Sequence, residues 1–198
     1  CLGLVITALV MSALATFSLA MCSAWVGSGQ VQALTLRGNQ IAMRIQNEIR
    51  NARLLGACRA GSSDGSAAGA AILIWKNDTN GDGLIQGSEV EMIYHDTANH
   101  QLVLYSGTSS DVATWSYSTV FTNAATIGTF QTGRTPTQFA TNVYGAMFQT
   151  SAATSTTLNP SLQFAIKILS NDSSPGTPQV FVEYGAATVR APIAQPNN

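Results

Sequence analysis

Residues 78 to 89 carry the arrangement of side chains with the most specific chemistry. Asp78-Thr79-Asn80-Gly81-Asp82-Gly83-Leu84-Ile85-Gln86-Gly87-Ser88-Glu89 matches the twelve-residue EF-hand loop at each diagnostic position. Asp78, Asn80 and Asp82 supply oxygen donors at alternate positions, where a tight coil aims them at one point. Gly83 falls where the sharp turn tolerates no side chain. Leu84 offers its carbonyl, Gln86 a side chain or a bridging water, and Glu89 can close the shell with both carboxylate oxygens. Ile85 would pin the loop to a core. The same letters also suit a solvated Asn-Gly-Asp-Gly hairpin turn, but a bare turn has no need of Glu89. The expected ligand set for a structural Ca2+ is therefore Asp78, Asn80, Asp82, Leu84, Gln86 and Glu89. Apolar strands flank the loop where an EF-hand has helices, so a calcium-stapled hairpin is expected and a groove-opening switch is not.

Other candidates are weaker. His95 and His100 stand five apart around Asp96, without the third and fourth ligands that zinc needs, and read as surface histidines. Glu89 and Glu91 share a strand, yet Glu89 is already taken by the loop. No nucleophile context and no phosphate-cradling glycine loop occur, so no catalytic residue and no enzyme are expected. Arg37, Arg44, Arg50, Arg53 and Arg59 alternate with apolar residues that must be buried, which argues against nucleic acid and for a solvated or inter-subunit face. Two glycosylation sequons occur, at Asn77 and Asn171. A glycan on Asn77 would crowd the calcium loop, so Asn171 is the better acceptor.

These residues have to be positioned by a long helix and a set of strands. From Cys1 to Val26 there is no charged residue, and the first charge is Arg37. From Val31 onward, Leu34, Ile41, Ile45, Ile49 and Ala52 recur at helical spacing between Arg37, Arg44, Glu48, Arg50 and Arg53. One helix over about residues 1–55 is expected, with Gly27 and Gly29 as a kink and Gly56 as its C-cap. Such a helix would reach about 80 Å, more than a head of this size can cover. Residues 56–70 read as a flexible connector. Strands are expected over 71–77, 90–96, 101–106, 138–150, 161–170 and 180–191, the first three as an antiparallel meander; 107–137 is not legible.

Composition adds little about partners, because the formal charge of the 198 residues is −1. The charge is unevenly placed, however: five Arg against one Glu up to residue 59, and four basic against nine acidic residues after it. The three Cys make no disulfide framework. Residues 1–26 are too long an apolar run, and lack the basic start, for a secretory signal peptide. Met21 before Cys22 makes a poor lipoprotein site. The run is long enough to span about 30 Å of hydrocarbon. Its scattered small residues, among them Gly3, Ala8, Ala13 and Ala20, would equally permit close packing against copies of itself.

A greasy helix at the start, running into an amphipathic helix, a Gly/Ser connector and an antiparallel sheet, resembles the type IV pilins and type II secretion pseudopilins. Leu4-Val5-Ile6-Thr7-Ala8-Leu9-Val10 looks like their prepilin segment, and Arg44-Ile45-Gln46-Asn47-Glu48-Ile49-Arg50-Asn51-Ala52-Arg53 is similar to the helix that follows it in the larger pseudopilins. The resemblance covers the pattern of residues 1–106. It implies an α+β, pilin-like fold, in which residues 1–29 span the inner membrane before assembly and form a filament core after it. Residues 30–198 would form the head. It implies a homo-oligomeric helical filament outside the cell, and calcium loops inserted in the sheet region. The family usually has Phe first and Glu fifth, where this chain has Cys1 and Val5; assembly would need another match for the buried amine, or a modified Cys1, for example an acylated one. The alternative is a single-span, membrane-anchored calcium-binding recognition module.

Overall fold

The structure, a computed structural model, describes residues 2–62, 69–117, 120, 123–150, 161–170 and 179–189. Helix α1 (Leu2–Arg50) is followed by β1 (Leu54–Arg59), β2 (Gly61–Ser62), β3 (Ala71–Trp75), β4 (Val90–Asp96) and β5 (Gln101–Ser106). Then come α2 (Thr126–Gln131), β6 (Thr137–Thr141), β7 (Val143–Thr150), β8 (Ser161–Leu169) and β9 (Val180–Thr188). All strand pairings are antiparallel and form two sheets, ordered β1-β3-β4-β5-β6 and β2-β7-β8-β9. The arrangement is α+β: an apolar N-terminal helix and two antiparallel sheets.

Two apolar clusters explain the layering. Leu34, Ile41, Ala42, Ile45 and Ile49 of α1 join Ile72, Ile74 and Ile93 of the first sheet and Phe148, Phe164, Ile166 and Ile168 of the second. Leu54, Leu73, Trp75, Ile85, Val90 and Met92 join Trp115, Tyr117, Ile127 and Phe130 on the other face of the first sheet. Strand β3 lies between the two. Successive strand side chains point to opposite faces, and both faces are covered, so all five residues of Ala-Ile-Leu-Ile-Trp are buried and the strand reads as a continuous apolar run. Helix α1 approaches β9 closely at Gly38, where a Cβ would lie 2.4 Å from the Phe181 ring.

The helix divides along its length. Every described side chain from residue 9 to residue 25 is exposed, including Leu9, Phe17, Leu19 and Trp25. From Leu34 to Ile49 the apolar stripe is buried on the head. The helix runs unbroken through Gly27 and Gly29, where a kink was expected, and open space surrounds both. Two glycines cost about 2 kcal/mol in propensity, which does not break a continuous helix when no packing contact pulls the chain aside.

Several boundaries differ from the sequence expectation. The helix ends at Arg50, not near residue 55, because Leu54 and Leu55 are buried in opposite clusters, which extended backbone allows and a helix does not. Residues 56–59 and 61–62 of the expected connector are strand: β1 pairs with β3, and β2 with β7. Gly61 has φ +69°, and a Cβ there would sit 2.6 Å from the Ala146 carbonyl oxygen, so glycine composition marks close strand contact and not slack. Residues 63–68 of that connector, the loop before β8, Asn171 and the tail after Pro192 lie outside the described residues. The expected strand 138–150 is two strands, since Asn142 at φ 58° turns the chain from the first sheet into the second.

His95 is also misplaced by the sequence reading: it is buried, at 1% exposure, not on the surface. Its strand β4 presents Val90 and Met92 to one cluster and Ile93 to the other, and the second sheet covers the face that an isolated meander would leave wet. The His95 ring Nε2 meets the Val143 carbonyl at 2.8 Å and so ties the two sheets together. Burial pushes its pKa below the ordinary imidazole value, against the Val143 carbonyl and Asp96, which favour the charged form.

Candidate metal centre

The loop between β3 and β4 is closed at its base by Lys76 N donating to Glu89 O (3.1 Å), next to the Trp75–Val90 pair. Within it, backbone amides fold onto side-chain oxygens at short range. Asp78 Oδ1 accepts from Gly81 N (2.8 Å) and Oδ2 from Gly83 N (3.1 Å). Asn80 Oδ1 accepts from Asp82 N (3.1 Å), and Asp82 Oδ1 from Leu84 N (2.7 Å). Gly81 and Gly83, at φ +73° and +74°, supply the left-handed steps of this coil. Ile85 is fully buried in the second cluster and anchors the loop.

The structure brings four of the expected side chains together. Asp82 Oδ2 accepts from Asn80 Nδ2 (2.7 Å) and Gln86 Nε2 (3.0 Å), so two amide groups crowd one carboxylate oxygen. Asp78 sits at the head of the same coil. Turning either amide about its terminal bond would exchange a donor for an oxygen, giving the hard oxygen set that calcium takes. Glu89 is placed differently: it is buried, with Oε1 accepting from Thr79 N (2.6 Å) and Thr79 Oγ1 (2.8 Å) and Oε2 from Trp75 Nε1 (3.1 Å). To bind a cation it would have to exchange these donors. Among the described residues no group of three or more His, Cys, Asp and Glu is gathered to hold a metal. The donor chemistry at 78–86 fits calcium through carboxylates, amides and a carbonyl; at Glu89 the fit depends on that exchange.

Two supports went unseen in the sequence. Arg53 Nη1 lies 3.3 Å from Asp78 Oδ2, with its guanidinium 5.6 Å from the centroid of the Trp75 ring. No periodicity links residues this far apart; only a cation closing the helix and an acid opening the loop hint at it. The second is the segment after β5. Gly87 N donates to Ala113 O (3.2 Å), Ser88 N to Asp111 O (2.8 Å) and Trp115 N to Ile85 O (2.7 Å), so this run backs the second half of the loop. Asp111 pairs in turn with Arg134, which lies over the Phe130 ring.

Arg37 and Arg44 of the helix, and Arg59 and Lys76 beyond it, are engaged within the chain. Arg37 donates to Thr141 Oγ1 and Arg44 to the Phe139 carbonyl, both on edge strand β6, and Arg59 donates to Gly69 O (2.7 Å). Lys76 joins Glu48 of α1 (2.7 Å) to Glu91 of β4 (2.9 Å). Burial of its ammonium lowers the pKa, but the bonds to both carboxylates outweigh this and hold it above the ordinary lysine value. His100 is exposed and stacks on Tyr144 at 3.9 Å, away from any zinc-like grouping with His95, which is turned inward. Comparison with protein-family models, curated proteins and solved structures finds no match.

Proposed function

We propose that this chain is the structural subunit of an extracellular filament of the type IV pilus or pseudopilus kind. It would assemble through its N-terminal helix and carry a structural calcium site in the head. The observation that supports this most is the division of one 49-residue helix into a half packed on the head and a half whose described side chains, residues 9–25, are exposed. By length and composition that helix can cross a membrane. An apolar surface exposed all round must be taken from water by lipid or by copies of itself. Before assembly the inner membrane serves; afterwards, neighbouring helices do. Passing from one to the other exchanges apolar surroundings, so selectivity falls to close packing of the small residues.

In this reading the head is a sheath element and no reaction is assigned to it. Calcium would supply positive charge among Asp78, Asn80, Asp82, Leu84, Gln86 and Glu89, stiffening the coil over Trp75. A glycan at Asn171 and nucleic-acid independence remain part of the same proposal. The second reading, a single-span anchored recognition module, draws on the same membrane-length helix. Negative-stain imaging of sheared cell-surface material, labelled with an antibody against this chain, separates the two. Labelled filaments are the expected result; a dispersed membrane monomer alone would overturn the filament and leave the tethered module.

A further inference from the structure

Asp78 is the first donor of the loop, and its carboxylate is already paired. Its side chain is only 7% exposed, and a carboxylate so far withdrawn from water requires a positive partner. Arg53 is that partner: its Nη1 lies 3.3 Å from Oδ2, the oxygen that also accepts from Gly83 N. The arginine cannot drift far. Its backbone N donates to Trp75 O at 2.8 Å, and its guanidinium lies over the Trp75 ring. It is therefore a cation tethered beside the loop at high effective concentration.

Resting on the calcium reading of residues 78–89, we infer that Arg53 is the resident cation of the loop and sets its affinity for calcium by competing for Asp78. A divalent ion bound by Asp78 and a guanidinium on the same carboxylate repel one another, so the ion enters as Arg53 leaves. The guanidinium also lies over the Trp75 ring, 5.6 Å from its centroid. The same indole gives its Nε1–H to Glu89 Oε2 (3.1 Å), so Trp75 touches both the departing cation and the last expected ligand. Arg53 is a positioning residue here, acting on affinity through Asp78.

The test is a calcium chloride titration of the full chain in detergent micelles, by calorimetry. Wild type is compared with Arg53→Gln and Arg53→Lys. Arg53→Gln should bind about fivefold tighter, the size of a solvated ion pair, while Arg53→Lys, which keeps the charge but loses the planar stacking on Trp75, should tighten less than Arg53→Gln. A purely structural role would lower the melting temperature in chelator and leave affinity unchanged. Equal or weaker binding by folded Arg53→Gln, or equal tightening by both variants, overturns the inference and leaves the site standing. Absence of binding in all three overturns the site as well. Should Arg53→Gln fail to fold, the Arg53 Nε–H resonance of the wild-type chain decides: it should shift at saturating calcium, and an unmoved resonance overturns the inference.

Discussion

Leu9, Phe17 and Trp25 are side chains of the same kind as Leu34, Ile41 and Ile49 on the same helix, yet the first three stand exposed and the second three are buried beside β8 and β9. Apolar character does not separate them. The charges that flank the second set do. From Arg37 onward, arginines and Glu48 occupy the faces that the apolar stripe leaves, and they tie the helix to β6 and to Lys76. Before Arg37 no charged residue marks a wet face. A helix with one greasy stripe is completed by its own head, whereas one that is greasy all round needs an outside environment.

The largest effect should come from bulk in the unpacked half. Ala13→Trp or Ala20→Trp is expected to abolish filaments while membrane insertion and the melting temperature of the head stay as in wild type, read by imaging and by calorimetry of the same preparations. Normal assembly of both variants would break the comparison, since that half would then need no close neighbours. Next in size, Ile49→Ala in the packed half should cost about 2–5 kcal/mol of head stability in denaturant. Leu14→Ala should cost under about 0.5 kcal/mol. Similar losses from both would mean that the head covers the first half after all.

Calcium is expected to act on the head alone. At about a hundredfold excess over Kd it should add about 2.7 kcal/mol to head stability, and Asp82→Ala should remove most of that gain; coincident melting curves in calcium and in chelator would dispose of the site. The smallest effect is the pH response of the tie between the sheets. His95 titrates below 6.5 in the folded chain, with Asp96 and His100 as its charged neighbours. The folded state therefore binds fewer protons than the unfolded one. Its stability should be full above pH 6.5 and decline as pH falls through the folded value. His95→Phe should flatten that decline in acid melts, and an unchanged slope would remove His95 as its source.

Strands β4 and β5 were legible because their signal is local: alternation on either side of a turn at Asp96–His100. The coil of the loop was legible for a similar reason, with Gly83 marking its sharp turn; the second left-handed step, at Gly81, came with the structure. What stayed hidden depended on partners distant in sequence. Gly61 looked slack until Ala146 and Ala70 were packed against it. His95 looked wet until β7 covered its face, and Arg53 looked like a helix-end charge until Asp78 came beneath it. The inward turn of Glu89 depends on Trp75, which lies outside the loop, and on Thr79, at a position where the loop pattern accepts any residue.

The packing of α1 beside β9 sets a timetable for the chain's own synthesis. The helix is translated before the strands, and the strand that lies closest along it comes last among the described elements. At about 5–20 residues per second, a separation of about 140 residues leaves Ile41 and Ile45 waiting roughly 7–30 s for Phe181 and Ala187. During that interval the ribosome is still attached and the stripe lacks the strand that lies closest along it. A chain stalled or cut before β9 should then expose this stripe to chaperones and proteases, although every residue of the helix has already been made.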